Sequence, residues 1–453
     1  MTPAAGASIA QQQQPPPPLA EDDVQLIIQA VCIATCKCLP SAQIPQAAAT
    51  LLEPILTAAQ AATAQLPPVP SPNPAIPSAS PAQPAATGAH SLHATHPYLA
   101  PLVDRLACLF AYIDQREAVA RMLAASWQML NELFKRCAGD ARIIERGCRC
   151  LRLGVKGAAR AADPLLPSLL EMLALHFKAT RHSAFLYILS ELAKMFGREP
   201  THVPLLAGIT ASLLLDACAS LRTLQEATAN PDLMDDTYLL ANRVVSYAPR
   251  LLLDPTVMAS PAQPSLATNP AAALRPDAAL GALLDSATAG VLIQHREACC
   301  SVLNFLMRLL QPSLETALPG AQALVQSTFL PRAPLLTQLL LAGAAGALPL
   351  ARLVEVSQVL SALLQTWGTQ AMGWMAAALG MLPDPVVSQA DKEQLLGAAS
   401  AAVTLHASGG GGKSDPTGPE RLMEGAIDDF ADLCRQHRRR FYLPNWLLPL
   451  FFE

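Results

Sequence analysis

The feature that most constrains the fold is a long succession of apolar-striped segments separated by short breaks. From Glu21 onward, Leu and Ala recur at helical spacing, and Pro, Gly or Ser interrupts each run. Alternating β-branched and aromatic runs, typical of strands, are scarce, and aromatic residues make up only 5% of the chain. The sequence therefore predicts an all-α protein.

The helical segments come in pairs, and a pair recurs roughly every 40 residues, which is the unit length of HEAT-type repeats. A single pair cannot bury its apolar stripe, whereas stacked neighbouring pairs bury it continuously. We therefore predict a HEAT-repeat-like α-solenoid, a superhelix of antiparallel helix pairs.

The proline-, glycine- and glutamine-rich stretches predict the organisation along the chain, because they contain too few packing residues to order themselves. We expect a disordered Gln/Pro-rich head at 1–20, a helical hairpin at 21–64, a disordered Pro/Ala-rich linker at 65–95, a solenoid at 96–442 with loop insertions near 255–276 and 408–419, and an apolar tail at 443–453.

One predicted helix carries an unusual amount of positive charge in a chain whose formal net charge is −4. At about 100° per residue, five basic side chains fall within an arc of roughly 80°, and a sixth flanks them. The basic residues are Arg142, Arg146, Arg149, Arg152, Lys156 and Arg160. We call this set the basic stripe. The opposite side of the helix carries Ile144, Cys148, Leu151 and Val155 and is expected to be buried.

The basic stripe is typical of anion recognition, because arginine offers a planar fork that captures phosphate or carboxylate with two hydrogen bonds. Glu145 is the one acidic residue within it, at the right spacing to pair with Arg142 and Arg149. Two alternatives stay open. The arginines could pair with acids on a neighbouring repeat of an inert scaffold, or they could track a nucleic-acid backbone. The absence of interleaved aromatic residues argues against nucleic acid.

The sequence gives no support for an enzyme or for a cofactor. Residues Ala407–Ser414 fit the loose phosphate-loop pattern. A helix instead of a strand precedes them, however, and Pro416 and Pro419 prevent a helix from starting directly afterwards. The histidines form no HExxH motif. The run His437–Arg440 suits the C-terminal end of a helix, and a nuclear-targeting role is its alternative.

Two further features suggest a metal site or a membrane span at first sight. Cys32, Cys36 and Cys38 are close together, as are Cys148 and Cys150, but neither group has a second ligand pair at finger spacing. We expect buried thiols and no metal. The uncharged stretch Ala333–Ala351 is nearly long enough to span a bilayer, but it contains Pro334, Pro349 and the glycines of Gly343–Gly346, so we expect a buried helix and no membrane insertion.

The segment Arg142–Arg152, RIIERGCRCLR, closely resembles the arginine-rich helix of the transportin-SR family of importin-beta-type nuclear import receptors. Further segments match in the same order. They are Leu102–Ala107, His182–Tyr187, Asp235–Asp236, Ala241–Arg243, His295–Arg296, Cys300–Phe305, Trp374, Leu382–Pro383 and Asp429–Phe430. The resemblance runs from about Val24 to Arg440 and corresponds to the C-terminal half of that family.

The resemblance implies a receptor that shuttles between cytoplasm and nucleus and carries proteins rich in phosphorylated arginine/serine dipeptides. It implies that the six residues of the basic stripe bind this cargo, that the GTPase Ran and nucleoporins are candidate partners, and that nucleic acid is not a direct ligand. Gly147 and Lys156 depart from the family pattern. The family's N-terminal half, with its principal Ran surface, has no counterpart in the sequence, which implies a fragment, a truncated gene model or a divergent form.

Overall fold

The computed structural model describes residues 19–66, 98–258, 276–382, 387–408 and 418–437. Within these ranges every regular element is a helix. The all-α prediction is therefore confirmed for the part of the chain that the structure describes. The helices belong to two compact units, and the chain passes between them at residues 136/137, 148/149 and 161/162, the second time within one helix.

The first unit holds residues up to Arg136 together with Arg149–Ala161. Its helices are α1 (Glu21–Cys38), α2 (Ile44–Ala64), α3 (Leu99–Tyr112), α4 (Arg116–Arg136) and the second part of α5 (Ala141–Ala158). The first two helices pack against each other and against α3, and α2 also packs against α4. Leu106, Leu109 and Phe110 of α3 are almost completely buried in this core.

The second unit holds Cys137–Cys148 and the chain from Ala162 onward. After a 3₁₀ segment at Ala159–Leu165, its helices are α6 (Leu166–Thr180), α7 (Ala184–Phe196), α8 (Val203–Cys218), α9 (Leu224–Ala229), α10 (Pro231–Tyr247), α11 (Arg250–Leu253), α12 (Pro255–Met258), α13 (Pro276–Gly290), α14 (Arg296–Leu309), α15 (Ser313–Ala317), α16 (Ala321–Phe329), α17 (Ala333–Ala342), α18 (Leu353–Trp367), α19 (Thr369–Gly380), α20 (Gln389–Ala407) and α21 (Pro419–His437). Some consecutive helices pack together, such as α6 with α7 and α20 with α21, and α10 lies against both α7 and α14.

Two breaks between consecutive helices have a clear local cause. Residues 203–228 form α8 and α9, because a capping box starts a new helix: the Glu226 backbone N–H donates to the Thr223 hydroxyl, and the Glu226 carboxylate accepts from the Thr223 N–H. Helices α18 and α19 are separated at Gly368, which has a φ of 48°. Glycine adopts this backbone conformation readily, whereas other residues adopt it at a cost in free energy.

The uncharged stretch from Ala333 lies in the core of the second unit. Its helix α17 ends at Ala342, and a π-helical turn follows at Gly343–Ala347, in which Gly346 has a φ of 119°. Leu336, Leu340 and Leu341 are buried. Among the described residues, none of the helices combines the length and the apolar character that crossing a bilayer requires.

Several predicted segments lie outside the described residues. They are most of the head at 1–20, nearly all of the linker at 65–95, most of the insertions near 255–276 and 408–419, the phosphate-loop-like residues 409–414, the arginines at 438–440 and the tail at 443–453.

Candidate anion-binding helix

Helix α5 begins with a side-chain cap. The Asp140 carboxylate accepts hydrogen bonds from the backbone N–H groups of Arg142, at 3.1 Å, and Ile143, at 3.3 Å. These donors have no partner inside the helix, and a carboxylate there also suits the positive end of the helix dipole. The cap therefore defines where the basic stripe starts.

The two sides of α5 are arranged as the hydrophobic spacing predicts. Ile144, Cys148, Leu151 and Val155 are at most 3% exposed. On the other side Arg142, Arg146, Arg149 and Lys156 are exposed, and Arg152 at the edge is half-buried. One helix thus buries an apolar face and presents a row of cations to solvent. Gly147, which departs from the family pattern, is buried and adds no side chain to either face.

The C-terminal end of the basic stripe differs from the prediction. Sequence spacing predicts one helix through Ala161, but α5 ends at Ala158, and Ala159 adopts a left-handed φ of 48°. Arg160 is exposed but lies in the 3₁₀ segment that follows, so the helical arc does not apply to it. Five of the six predicted residues therefore share α5, and Arg160 does not.

The second part of α5 lies very close to its neighbours in the first unit, and glycines allow this. A Cβ at Gly154 would be 3.0 Å from Leu123 Cδ1 of α4, and one at Gly157 would be 3.0 Å from the Phe110 carbonyl oxygen of α3. Sequence reasoning missed both residues. Their position on the apolar side of a helix otherwise rich in long side chains was the available signal.

The partners of the basic side chains also differ from one residue to the next. In the described part of the chain, the side chains of Arg142, Arg149 and Lys156 form no hydrogen bond and no ion pair within 4.0 Å. Arg146, Arg152 and Arg160 do have interactions within the chain. Three cations of the basic stripe are thus available to an external anion without breaking an internal pair.

Glu145 does not neutralise the basic stripe in the way that its spacing permits. Within the described ranges it forms no ion pair with Arg142 or Arg149. The charge of Glu145 instead affects the pKa of His182, which belongs to the same unit. Burial lowers the pKa of His182, and the charges of Glu145 and Asp232 oppose that shift.

Those resemblance segments that lie on α7, α10 and α14 pack together in the second unit. Ser301 of α14 donates to the Asp235 carboxylate, and Arg243 of α10 donates to Glu191 of α7 at 2.8 Å. The ring of Tyr238 lies 5.4 Å from that of Phe305. These segments therefore hold α7, α10 and α14 together.

The cysteine groups contain no metal-binding arrangement within the described residues. Cys32, Cys148 and Cys150 are buried, as predicted, and burial raises the pKa of Cys32 to about 12. Cys36 is half-buried and Cys38 is exposed, so the prediction of buried thiols is wrong for these two. They lie in the last turn of α1.

Comparison with known proteins gives findings of three kinds, namely a family model, related sequences and a solved structure. Residues 117–221, which include the whole basic stripe, match a protein-family model described as the fourth TPR domain of transportin-3 and importin-13. Transportin MOS14 of Arabidopsis thaliana is 29% identical over 338 residues, which are 74% of this chain and 32% of that protein. Human importin-13 is 26% identical over 136 residues, which are 30% of this chain and 14% of importin-13.

The solved structure is one of importin-13 in its cytosolic state, which matches with a TM-score of 0.67 and 14% identity over 92% of this chain and 41% of that one. Together these likenesses support an importin-beta-type karyopherin.

The karyopherin likeness confirms the predicted HEAT-like α-solenoid, because the structural match covers nearly all of this chain. It does not separate the transportin-SR family from importin-13, since a relative named transportin and relatives named importin-13 both match. The sequence matches span about a third of the length of MOS14 and about a seventh of importin-13, and the structural match spans 41% of the solved importin-13 chain.

Proposed function

We propose that this chain is a cargo-binding part of an importin-beta-type nuclear import receptor and that it binds proteins rich in phosphorylated arginine/serine dipeptides. The basic stripe is the binding surface, with Arg142, Arg146, Arg149, Arg152 and Lys156 on α5 and Arg160 directly after it. Catalysis is no part of this function.

The observation that carries the proposal is the unpaired state of exposed cations on a helix that is buried on its other side. Arg142, Arg149 and Lys156 have no ion pair among the described residues. Acids at helical spacing from these cations would stabilise the helix by pairing with them, and the structure shows no such pair for these three residues. Unpaired arginines on a rigid element are instead suited to an anionic ligand, whose phosphates each bring about −1.5 to −2 charges and three acceptor oxygens.

The relatives support the transport role. They carry the names transportin and importin, and the domain that matches includes the entire basic stripe. Under this proposal the chain moves between cytoplasm and nucleus with its cargo. Ran and nucleoporins are its further proposed partners, by likeness to the same proteins.

Binding of a phosphorylated and an unphosphorylated arginine/serine peptide tests the proposal. We expect the unaltered chain to prefer the phosphorylated peptide, and Arg146→Glu/Arg149→Glu to lose at least about tenfold in affinity for it. Hydrogen bonds to charged groups contribute about 1.5 to 3 kcal/mol each, and 1.4 kcal/mol is a factor of ten. Fluorescence anisotropy with labelled peptides measures both effects.

Arg116→Glu/Arg121→Glu is the matched control, because both residues are exposed on α4 and the change in charge is the same. Equal affinity for the two peptides, or equal losses in the two double variants, would contradict the proposal. Competition by generic RNA at physiological salt would favour nucleic-acid binding instead. Unfolding of the α5 variant, detected by circular dichroism, would indicate a scaffold whose arginines stabilise the fold.

A further inference from the structure

A cavity of about 450 Å³ lies beside the second part of α5, entirely within the first unit. Its walls are the first turns of α1, one side of α3, and Arg149, Arg152 and Leu153 of α5. The volume is within the range of roughly 300 to 1,000 Å³ that is typical of ligand pockets. The cavity therefore adjoins the basic stripe and is large enough for a side chain of a bound peptide.

The cavity contains charges of both signs. Asp22 of α1 and Asp104 of α3 line it together with Arg149 and Arg152. Asp22 is exposed and, among the described residues, forms no ion pair within 4.0 Å. Arg149 is likewise exposed and unpaired there. An unpaired anion and an unpaired cation in one cavity suit a ligand that itself carries both charges.

The turn that presents Asp22 is held in place by its neighbours. Glu21 forms a two-pronged ion pair with Arg105 of α3, with Nη2–Oε2 at 2.6 Å and Nε–Oε1 at 3.0 Å. One turn further on, the Cys108 thiol donates to the Gln25 carbonyl at 3.6 Å. These contacts fix the start of α1 on α3, so Asp22 is presented on an ordered element and needs little further ordering when it binds.

The rim of the cavity also suits an arginine side chain. Tyr112 is 38% exposed and Leu26 is 61% exposed, and both line the cavity. A guanidinium group is attracted to the face of a tyrosine ring, and the methylene stem of arginine covers apolar surface. Gln25 and Gln29 add polar groups along the same wall.

We propose that this cavity binds the arginine next to a phosphoserine in the cargo, with Asp22 as its main acceptor and Arg149 holding the adjacent phosphate. Asp104 adds negative charge at the cavity wall. The proposal rests on the proposed function and deepens it. A surface of cations alone binds any polyanion, whereas this cavity makes binding selective for phosphates that have an arginine next to them.

The test uses the full chain and three peptides: a phosphoserine/arginine repeat, the same repeat with citrulline in place of arginine, and the unphosphorylated repeat. Citrulline keeps the shape of arginine and removes its charge. We expect Asp22→Asn to weaken binding of the first peptide about three- to tenfold and to leave binding of the citrulline peptide unchanged. This loss of affinity is the size expected for one charge-assisted hydrogen bond at a partly exposed site.

Asp23→Asn is the matched control. Asp23 is an exposed acid in the same first turn of α1, so it has the same effect on the helix dipole, but it does not line the cavity. We expect it to change neither affinity.

The other outcomes separate the two proposals. If Asp22→Asn strengthens binding of both phosphorylated peptides, Asp22 merely opposes the basic stripe, and the arginine site is wrong while phosphate recognition stands. Equal losses for both peptides, or no loss for either, overturn the arginine site in the same way. If the unaltered chain does not prefer the phosphorylated repeat at all, the proposed function and the arginine site both fail.

Discussion

At the scale of single residues, Asp236 of α10 shows how the fold alters a common side chain. Burial raises its pKa to about 7, and the charges of Asp235 and Asp232 add to the shift. A hydrogen bond from Ser183 and the charge of Arg243 oppose it without cancelling it. A carboxyl group in this position prefers to stay protonated, so its ionisation at neutral pH costs stability.

The sign of the pH dependence follows directly. Between the ordinary pKa of 3.8 and about 7, the folded chain holds a proton on Asp236 that the unfolded chain has released. The contribution of this group to stability is therefore full at low pH, falls as pH rises through this window, and is lost above about 7. We expect Asp236→Asn to raise the free energy of unfolding by about 1 to 3 kcal/mol above pH 7.

Urea unfolding from pH 4 to pH 8 measures this effect. Asparagine can still accept the hydrogen bond from Ser183, so the substitution removes the charge and keeps the contact. The difference between the variant and the unaltered chain should shrink toward zero near pH 4, where both side chains are neutral. A constant difference across the whole range would contradict the prediction.

At the scale of one helix, α5 shows what local pattern can and cannot predict. Its buried and exposed sides follow from spacing, because the helical period depends only on local geometry, and Leu151 and Arg149 lie on the predicted sides. Its end could not be predicted, because Ala159 is a good helix former and nothing in its identity favours a left-handed φ.

Close packing between helices is a second property that the pattern of one helix does not reveal. Gly154 and Gly157 look like weak points of α5, since glycine costs about 1 kcal/mol relative to alanine in a helix. In the fold, atoms of Leu123, Phe110 and Val119 occupy the space where a side chain at these two positions would begin. Only the neighbouring helices explain why these positions lack side chains.

Substituting two glycines separates helix propensity from packing. We expect Gly157→Ala to destabilise the chain by about 1 to 3 kcal/mol, because the new Cβ would be 3.0 Å from the Phe110 carbonyl oxygen, which is backbone and cannot rotate away. Gly397→Ala in α20 is the control, since no atom lies within 4 Å of its new Cβ. It should stabilise the chain by about 0.5 to 1 kcal/mol. Thermal unfolding compares the two variants. If both substitutions stabilise the chain, close packing at Gly157 does not oppose a Cβ and the prediction is wrong.

At the scale of the whole molecule, the repeating helix pairs were predictable and the contacts between distant segments were not. Recurrence of paired apolar stripes is sufficient to predict a HEAT-like solenoid. The ion pair of Glu21 with Arg105 joins residues 84 positions apart, and no local pattern in the sequence links the two residues. The cavity at Asp22 depends on that long-range contact. This is why the basic stripe could be found from sequence and the acidic side of the cavity could not.

The charge of the whole molecule opposes the ligand that we propose. The formal net charge is −4, whereas the segment Arg142–Arg160 carries a net charge of +5. At physiological ionic strength the Debye length is about 8 Å, so a bound phosphopeptide senses chiefly the basic stripe. The attraction is nevertheless ionic and weakens as salt shortens that length.

We therefore expect affinity for the phosphorylated peptide to fall on the order of tenfold between 50 and 300 mM salt, because screening weakens exposed ion pairs. The salt dependence should be shallower for Arg146→Glu/Arg149→Glu and unchanged for Arg116→Glu/Arg121→Glu. Isothermal titration calorimetry across a salt series provides the comparison. The prediction fails if all three proteins show the same slope.

The spacing of the cations along α5 has a consequence for how a repetitive ligand would bind. From Arg142 to Lys156 they recur on average every 3.5 residues, which at 1.5 Å per residue is about 5 Å, whereas an extended dipeptide advances about 6.6 Å. The two periods do not match, so a repeating peptide cannot place every phosphate on a cation in one alignment. Several alignments of comparable energy then coexist, and a longer repeat binds more tightly because it offers more of them.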